Sequence, residues 1–214
     1  LSINALFLVL QAHRTSEVFN YNWDSSLERN ANDIQDLYTN DQKQRGSHIF
    51  GWREGLEDVA YLQKNNFEWI TITPFIGQKY HDQPEINTIS TKDSIHRRKQ
   101  YTKVKKITDS LGMHVMMKPH IWLYKVRDGK WRSDIEMQSE ADWRTWFDSY
   151  KKTMLTYARI AEDLQFEQFC IGTELEKTVE LKADEWLQFI EEVRAVFSGK
   201  LTYAANWHEG YEHF

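Results

Sequence analysis

Two alternating patterns of apolar residues organise most of this sequence. Four stretches carry apolar side chains three or four positions apart, the spacing of an amphipathic helix: 53–65, 93–111, 139–164 and 183–197. Four others are rich in β-branched and aromatic residues and predict strands: 67–74, 113–118, 166–173 and 200–206. A further strand is expected near residues 17–21 or 48–50. Regular alternation of helix and strand is typical of a parallel sheet with crossover helices, so we predict an α/β fold of about five strands and four helices.

The predicted helices account for most of the large apolar side chains. Helix 139–164 begins at a capping sequence, Ser139-Glu-Ala-Asp142, and carries its indoles on one face. On helix 93–111, Ile95 and Val104 are expected to face inward, and Gly112 is expected to end the helix. A loop is predicted from residue 75 to about residue 91. We expect three tryptophans to lie in the core: Trp143, Trp146 and Trp186.

Residues 1–50 are predicted to be a leader or insertion region, with a possible first strand, ahead of one domain at 51–214. Residues 1–10 are strongly apolar. They are either the remnant of an export signal, which would place the protein in the periplasm or outside the cell, or an ordered segment that docks on the domain. Ten residues are too few to cross a bilayer, and no other stretch predicts a membrane span. Residues 22–46 are polar and predict a long insertion or mobile loop.

Charge and cysteine content exclude some partners. The chain has 27 basic and 32 acidic side chains and a formal charge of −5, which is unfavourable for binding phosphate backbones, so nucleic acid is not an expected partner. Its single cysteine, Cys170, cannot form an internal disulfide or a cysteine-rich zinc site. Nothing in the sequence indicates a cofactor or fixes the oligomeric state. The 30 aromatic residues fit either a tryptophan-rich core or a site for ring-shaped ligands.

Polar and aromatic side chains follow the predicted strands at their carboxyl ends. In parallel α/β folds these ends meet at one rim, where ligands bind. A sugar-cleaving site uses the groups that are expected on this rim: carboxylates, an imidazole, an amide and indoles. The candidate site residues are Glu174, His120, Trp122, Glu176, Asn206 and Trp207.

Glu174 is the strongest candidate for acid/base chemistry. Side chains alternate along a strand, so Cys170, Gly172 and Glu174 are expected to share the inward face. A glutamate at the top of that row would lie in a crowded, partly dry mouth, where desolvation raises its pKa toward the range of a general acid. The alternative is a salt-bridged glutamate on the rim.

The other candidates also have structural alternatives. His120 could be a satisfied structural histidine, and Lys118, on the same strand, could be ion-paired inside the sheet or contact substrate. Trp122 and Trp207 could stack on a pyranose or pack against loops. Asn206 could bind a hydroxyl or cap a turn. Cys170 is expected to be a small buried hydrophobe.

Four motifs resemble glycoside hydrolase family 113, a group of β-mannanase-type enzymes in retaining clan A with a (β/α)8 barrel. The motifs are Leu111-Gly-Met-His-Val-Met-Met-Lys-Pro-His120, Ser139-Glu-Ala-Asp-Trp143, Phe169-Cys-Ile-Gly-Thr-Glu-Leu-Glu176 and Leu201-Thr-Tyr-Ala-Ala-Asn-Trp207. The resemblance covers residues 53–210. It implies retaining hydrolysis of a β-linked mannose oligosaccharide or polysaccharide.

The resemblance also assigns roles to residues. Glu174 matches the acid/base that ends the fourth strand, although Thr173 precedes it where clan A more often has Asn. His120 matches a histidine near the site, and Glu176 is the second candidate acid. The nucleophile is expected at the end of a seventh strand, beyond the five strands predicted here. The 214-residue chain is therefore predicted to be truncated relative to a complete barrel and inactive alone.

Two other functions compete with this one. A non-catalytic carbohydrate-binding protein on an incomplete barrel would keep the aromatic rim without the catalytic pair. A metal-dependent barrel hydrolase would need ligands from His48, His81, His120 and His208, yet none of these has helical ligand spacing and no His-x-His ends an early strand. We therefore predict no metal site.

Overall fold

The described strands of this protein are all short, and five of them lie close to predicted positions. The computed structural model describes residues 43–49, 56–207 and 209, with side chains described from residue 59 onward in the second range. Within these residues the strands are β1 (Gly46–Ile49), β2 (Trp69–Ile72), β3 (Phe75–Gln78), β4 (His114–Met117), β5 (His120–Leu123), β6 (Gln168–Thr173) and β7 (Lys200–Ala204).

The four predicted helices are present. The helices are α1 (Leu56–Lys64), α2 (Thr91–Ser110), α3 (Glu140–Asp163), α4 (Glu176–Leu181) and α5 (Ala183–Arg194), with a 3-10 turn at Arg132–Asp134. Ser139 caps α3 by accepting a hydrogen bond from the backbone of Asp142, as its sequence predicted. Gly112 follows α2 with φ +63°, which suits a glycine after a helix. The short helix α4 was not predicted. None of the described helices is long and apolar enough to span a membrane.

The main sheet is parallel and follows the order of the chain. Its strands run β1-β2-β4-β6-β7, and each neighbouring pair is parallel. Within this sheet a helix precedes each strand after β1, as expected for crossover connections between parallel strands. Strand β1 satisfies the prediction of a strand near residues 48–50. The alternative at residues 17–21, the apolar residues 1–10 and most of the polar stretch 22–46 lie outside the described residues.

A second, two-stranded parallel sheet extends the main one and was not predicted. Prolines interrupt the chain after β2 and β4, and a proline cannot donate to a strand ladder. The chain nevertheless stays extended past each proline, because the nitrogen of His120 donates to the Pro74 carbonyl at 2.9 Å. Strand β3 then pairs with β5, with Phe75 opposite His120. The predicted loop from residue 75 is therefore wrong over 75–78, and His120 and Trp122 lie on a strand.

The core is aromatic and lies between the sheet and helices α3 and α5. Trp143, Trp146 and Trp186 are at most 6% exposed, which confirms their predicted burial. On α2 the prediction is half right, since Val104 is buried while Ile95 is 53% exposed. Nine residues separate these two, about two and a half turns, so they lie on opposite faces of the helix.

A β-bulge in β6 changes which side chains face the sheet interior. Cys170 pairs with Thr202 and Thr173 with Ala204, so three steps along β6 match two along β7. A Cβ added to Gly172 would lie 2.8 Å from ring atoms of both Trp186 and Tyr203. Gly172 therefore faces the helix layer, and the prediction that it shares a face with Cys170 is wrong because one extra residue breaks the alternation.

Candidate active site

Glu174 stands at the point where β6 ends. Its backbone nitrogen donates to the Ala204 carbonyl of β7 at 2.8 Å, which fixes the peptide at the sheet edge. Its φ is +53°, a left-handed conformation that is uncommon for a residue with a Cβ. Such conformations persist where the surrounding structure enforces them, and they concentrate at functional sites.

Arg132 forms an ion pair with Glu174. Its Nε and Nη2 lie 2.9 Å and 2.8 Å from the same carboxylate oxygen, Oε2. The Arg132 side chain is 11% exposed and that of Glu174 28% exposed. The alternative prediction of a salt-bridged rim glutamate is thus realised in the geometry, although an arginine at this site is also compatible with acid/base chemistry.

The Arg132 guanidinium is held from two further directions. Its Nη1 donates to the Ile121 carbonyl on β5 at 3.4 Å, and its carbon lies 4.8 Å from the centre of the Trp131 ring. Arg132 is separated from Glu174 by 42 positions and lies in the 3-10 turn. Sequence analysis missed it, because an isolated arginine in a connecting segment carries no periodic or motif signal.

His120 lies in the same part of the site with an unpaired nitrogen. The residue is 9% exposed, and its buried Nε2 has no hydrogen-bond partner in the part of the chain that the structure describes. Burial, followed by the charges of Lys118 and Arg132, lowers the pKa of His120 to about 3. The imidazole is therefore neutral at neutral pH and can offer one donor and one acceptor.

This lowered pKa predicts an acid sensitivity of the fold. The unfolded chain binds a proton at His120 near pH 6.5, whereas the folded chain resists it down to a pKa of about 3. Stability should therefore fall as the pH decreases from 6.5 toward 3, with a contribution of at most about 2 kcal/mol at pH 5. Urea denaturation at pH 7 and pH 5 measures this, and His120→Gln should reduce the difference.

The control for this prediction is His96→Gln, which replaces an exposed histidine on α2. This variant should keep the stability difference of the unchanged chain between pH 7 and pH 5. An equal pH dependence in His120→Gln and the unchanged chain would contradict the buried, neutral state of His120.

Lys118 and His48 lie beside each other on neighbouring parts of the sheet. The Lys118 ammonium is 3.4 Å from His48 Nε2, and it donates when that nitrogen is unprotonated. Burial, followed by the charge of Lys118, lowers the pKa of His48. The predicted ion pair of Lys118 is not found among the described residues, where its side chain contacts an imidazole instead.

An exposed aromatic surface adjoins the arginine. Trp122 is 45% exposed and Phe75 46% exposed, and their rings meet edge to face at 5.4 Å. The Trp131 ring lies 5.6 Å from that of Trp122 and carries the Arg132 guanidinium on its face. Trp122 thus lies on the same surface as Arg132, the ion-pair partner of Glu174. Trp207, by contrast, is 84% exposed at the end of β7.

The segment after β7 supports the backbone next to Glu174. The Leu175 nitrogen donates to the Tyr203 hydroxyl at 2.7 Å, and that hydroxyl donates to Glu209 Oε1 at 2.8 Å. Glu209 is 2% exposed, and its other oxygen accepts from the backbone of Asn206. Burial and the hydrogen bond to Glu209 raise the pKa of Tyr203. Sequence analysis missed Tyr203, which has ordinary β-strand character.

The remaining candidates are placed as follows. Glu176 is the first residue of the short helix α4. Cys170 is fully buried, its thiol lies 3.0 Å from the Gly172 carbonyl, and burial raises its pKa, which confirms an inert thiol. Among the described residues, no group of three His, Cys, Asp or Glu side chains is arranged to hold a metal ion. His208 lies outside those residues.

A parallel sheet whose strands follow the order of the chain, with a helix before each later strand, is the arrangement of the TIM-barrel class, and the partly buried Arg132–Glu174 ion pair lies at the end of one of its strands. The family model for Glycoside Hydrolase Family 113 matches residues 42–213. The chain belongs to this family. Its sheet corresponds to about the first five β/α units of a (β/α)8 barrel. A comparison with curated proteins found no match.

Two solved structures illustrate the similarity. One is a GH113 β-mannanase from Alicyclobacillus acidocaldarius in complex with ManMIm, 26% identical with a TM-score of 0.66; 79% of this chain aligns with 56% of that one. The other is a complex of a GH113 β-1,4-mannanase, 25% identical with a TM-score of 0.64, over 77% of this chain and 56% of that one. The chain thus spans 56% of the length of these two enzymes.

Proposed function

We propose that this chain is part of a retaining glycoside hydrolase that cleaves β-linked mannose oligosaccharides or polysaccharides, with Glu174 as general acid/base. The observation that carries this proposal is the position of Glu174 at the end of the fourth strand of a family 113 sheet, held there by Arg132. A general acid must reach the glycosidic oxygen, and the carboxyl ends of barrel strands are where substrates bind.

Substrate contacts are assigned to the residues around this carboxylate. The unpaired Nε2 of His120 suits a hydrogen bond with a sugar hydroxyl. Trp122 offers an exposed indole for stacking on a pyranose, and the exposed Trp207 offers a second one at the end of β7. Asn206 and Glu176 are further candidates for substrate binding, because each follows a strand of the main sheet at its carboxyl end.

The nucleophile is proposed to lie on a later strand, outside these 214 residues. A retaining mechanism needs two carboxyl groups about 5 to 5.5 Å apart on either side of the scissile bond. Glu209 is an unsuitable second group, because both of its oxygens are engaged by Tyr203 and by the backbone of Asn206. We therefore propose that the 214-residue chain alone has negligible activity.

The assay compares this chain with a version extended by three more strands of the natural sequence. Both are incubated with β-1,4-mannohexaose, and the anomer formed first is recorded by proton NMR. The extended chain should hydrolyse the substrate and release the β-anomer, while the 214-residue chain should show no turnover. Equal turnover by the two chains would contradict the proposed division of the catalytic pair, and release of the α-anomer would contradict retention.

A non-catalytic carbohydrate-binding protein is the second candidate. The exposed surface of Phe75 and Trp122 favours it, because such a surface can hold sugar without a catalytic pair. Binding of mannohexaose by the extended chain with no hydrolysis, unaffected by Glu174→Gln, would establish this function in place of the first.

A further inference from the structure

We propose that Arg132 is a positioning residue that determines which oxygen of Glu174 carries the catalytic proton. The inference rests on the acid/base role proposed above for Glu174. It concerns the orientation of the carboxyl group, which decides whether a proton on that group can reach the glycosidic oxygen.

Both hydrogen bonds from Arg132 fall on one oxygen. Nε lies 2.9 Å and Nη2 2.8 Å from Oε2 of Glu174. A carboxylate oxygen has two lone-pair sites, so these two donors occupy the acceptor capacity of Oε2. Protonation of Oε2 would have to displace a guanidinium N–H. The proton is therefore carried by Oε1, the oxygen that points away from Arg132.

Arg132 is rigid enough to impose this orientation. Its side chain is 11% exposed, its Nη1 is bound to the Ile121 carbonyl, and it lies against the face of Trp131. A guanidinium is planar and permanently charged and presents its N–H donors in a rigid arrangement, so two of them on Oε2 hold that oxygen in place more firmly than one ammonium could.

The two chemical steps then use a single oxygen. In the first, the nucleophile carboxylate proposed on a later strand bonds to the anomeric carbon as the Oε1–H proton moves to the glycosidic oxygen, which leaves with the electron pair of its bond to that carbon. In the second, water attacks the anomeric carbon, Oε1 accepts a proton from that water, and the nucleophile carboxylate leaves with the electron pair of its bond to the sugar. Arg132 keeps its charge throughout and gives up no proton.

The test is carried out in the active extended enzyme, with substrates that differ in their need for an acid. The sugar leaving group of mannohexaose is poor and must be protonated as it departs. The dinitrophenolate group of 2,4-dinitrophenyl β-mannobioside departs without protonation. For Arg132→Met we expect kcat/KM on mannohexaose to fall by about 10²-fold, the lower range for general acid catalysis. On the dinitrophenyl substrate, kcat/KM should change by less than about threefold, since no proton is needed. Arg132→Lys should give an intermediate loss of kcat/KM on mannohexaose, because lysine keeps the positive charge but lacks the planar set of N–H donors of a guanidinium.

The control is Arg127→Met, which removes another arginine of the same connecting segment. Arg127 pairs with Asp82, lies 4.6 Å from the Tyr80 ring centre and is 46% exposed, so its removal should leave both substrates unaffected. If Arg132→Met does not fold, as judged by circular dichroism, the two substrates are compared in the conservative variant Arg132→Lys instead.

The outcomes separate this inference from the proposed function. Equal losses on both substrates in the arginine variants would assign Arg132 a merely structural role and overturn the inference. If Glu174→Gln shows selective loss on mannohexaose while Arg132→Met shows none, the acid/base assignment stands and the positioning role fails. If Glu174→Gln also lacks the selective loss, the proposed function itself fails.

Discussion

Replacing Glu174 with glutamine is expected to lower kcat/KM on mannohexaose by about 10²- to 10⁴-fold in the extended enzyme. Glutamine has nearly the same shape as glutamate but cannot donate or accept the catalytic proton. Its amide can still contact Arg132, so the backbone and the neighbouring binding surface should be preserved. The dissociation constant for mannohexaose, measured by calorimetry, should therefore change by less than about threefold.

The matched control is Glu176→Gln, two positions further along the chain. Glu176 begins α4 and is proposed above as a substrate contact and not as the acid/base, so its substitution should raise KM and change kcat little. Unchanged turnover in Glu174→Gln together with a large loss in Glu176→Gln would transfer the acid/base role to Glu176. A large loss of binding in Glu174→Gln would instead indicate that Glu174 serves mainly to hold the substrate.

Replacing Trp146 with alanine is expected to lower the free energy of unfolding by about 3–5 kcal/mol, the range for removing a large buried aromatic side chain. Trp146 is fully buried and stacks on Tyr150 with ring centres 4.9 Å apart. Its Nε1 also donates to Gln78 Oε1 at 3.1 Å, so α3 is tied to the end of β3. The substitution would leave a cavity and an unpaired amide oxygen on Gln78, itself fully buried.

Urea denaturation of the 214-residue chain followed by circular dichroism measures this loss. Trp122→Ala is the matched control, because it removes the same side-chain type from an exposed position on β5 and should cost about 1 kcal/mol or less. A similar small cost for Trp146→Ala would show that the α3 face contributes far less to stability than its burial implies.

The helices of this protein could be predicted well, because a buried helix face requires apolar residues three and four positions apart in the sequence. The buried residues of α3 recur at three and four positions over 24 residues, and its Ser139 cap is explicit in the sequence. Helix α2 is a weaker case, since it buries only Tyr101, Val104 and Thr108 along its length. Ile95, which lies nine positions before Val104 and on the opposite face, was therefore assigned to the wrong face.

Strands β3 and β5 could not be predicted, because their formation depends on pairing and not on local pattern. A proline predicts the end of a strand, and β2 does end before Pro74. Whether the chain stays extended afterwards depends on a partner 45 positions away, since Phe75 pairs with His120. No residue of 75–78 signals that partner on its own.

The candidate site was predictable only in part, for the same reason. Glu174 could be found because it ends a strand with a clear β pattern and lies in a recognisable motif. The β-bulge that turns Gly172 toward Trp186 was invisible, since a bulge is defined by its neighbouring strand. Arg132 was missed because its contact with Glu174 joins the 3-10 turn to the end of β6, an interaction that only the folded sheet creates.

The central claim is that Glu174 serves first as the acid and then as the base of a retaining mechanism. The extended enzyme with Glu174→Gln should be glycosylated normally by 2,4-dinitrophenyl β-mannobioside, because the dinitrophenolate leaving group needs no acid. It should then hydrolyse the glycosyl-enzyme adduct slowly, because the general base is missing. Intact-protein mass spectrometry is the direct measurement. We expect one mannobiosyl group to accumulate on each enzyme molecule, attached to the nucleophile carboxylate proposed on a later strand. Absence of an adduct, with turnover equal to that of the unchanged enzyme, would contradict the account.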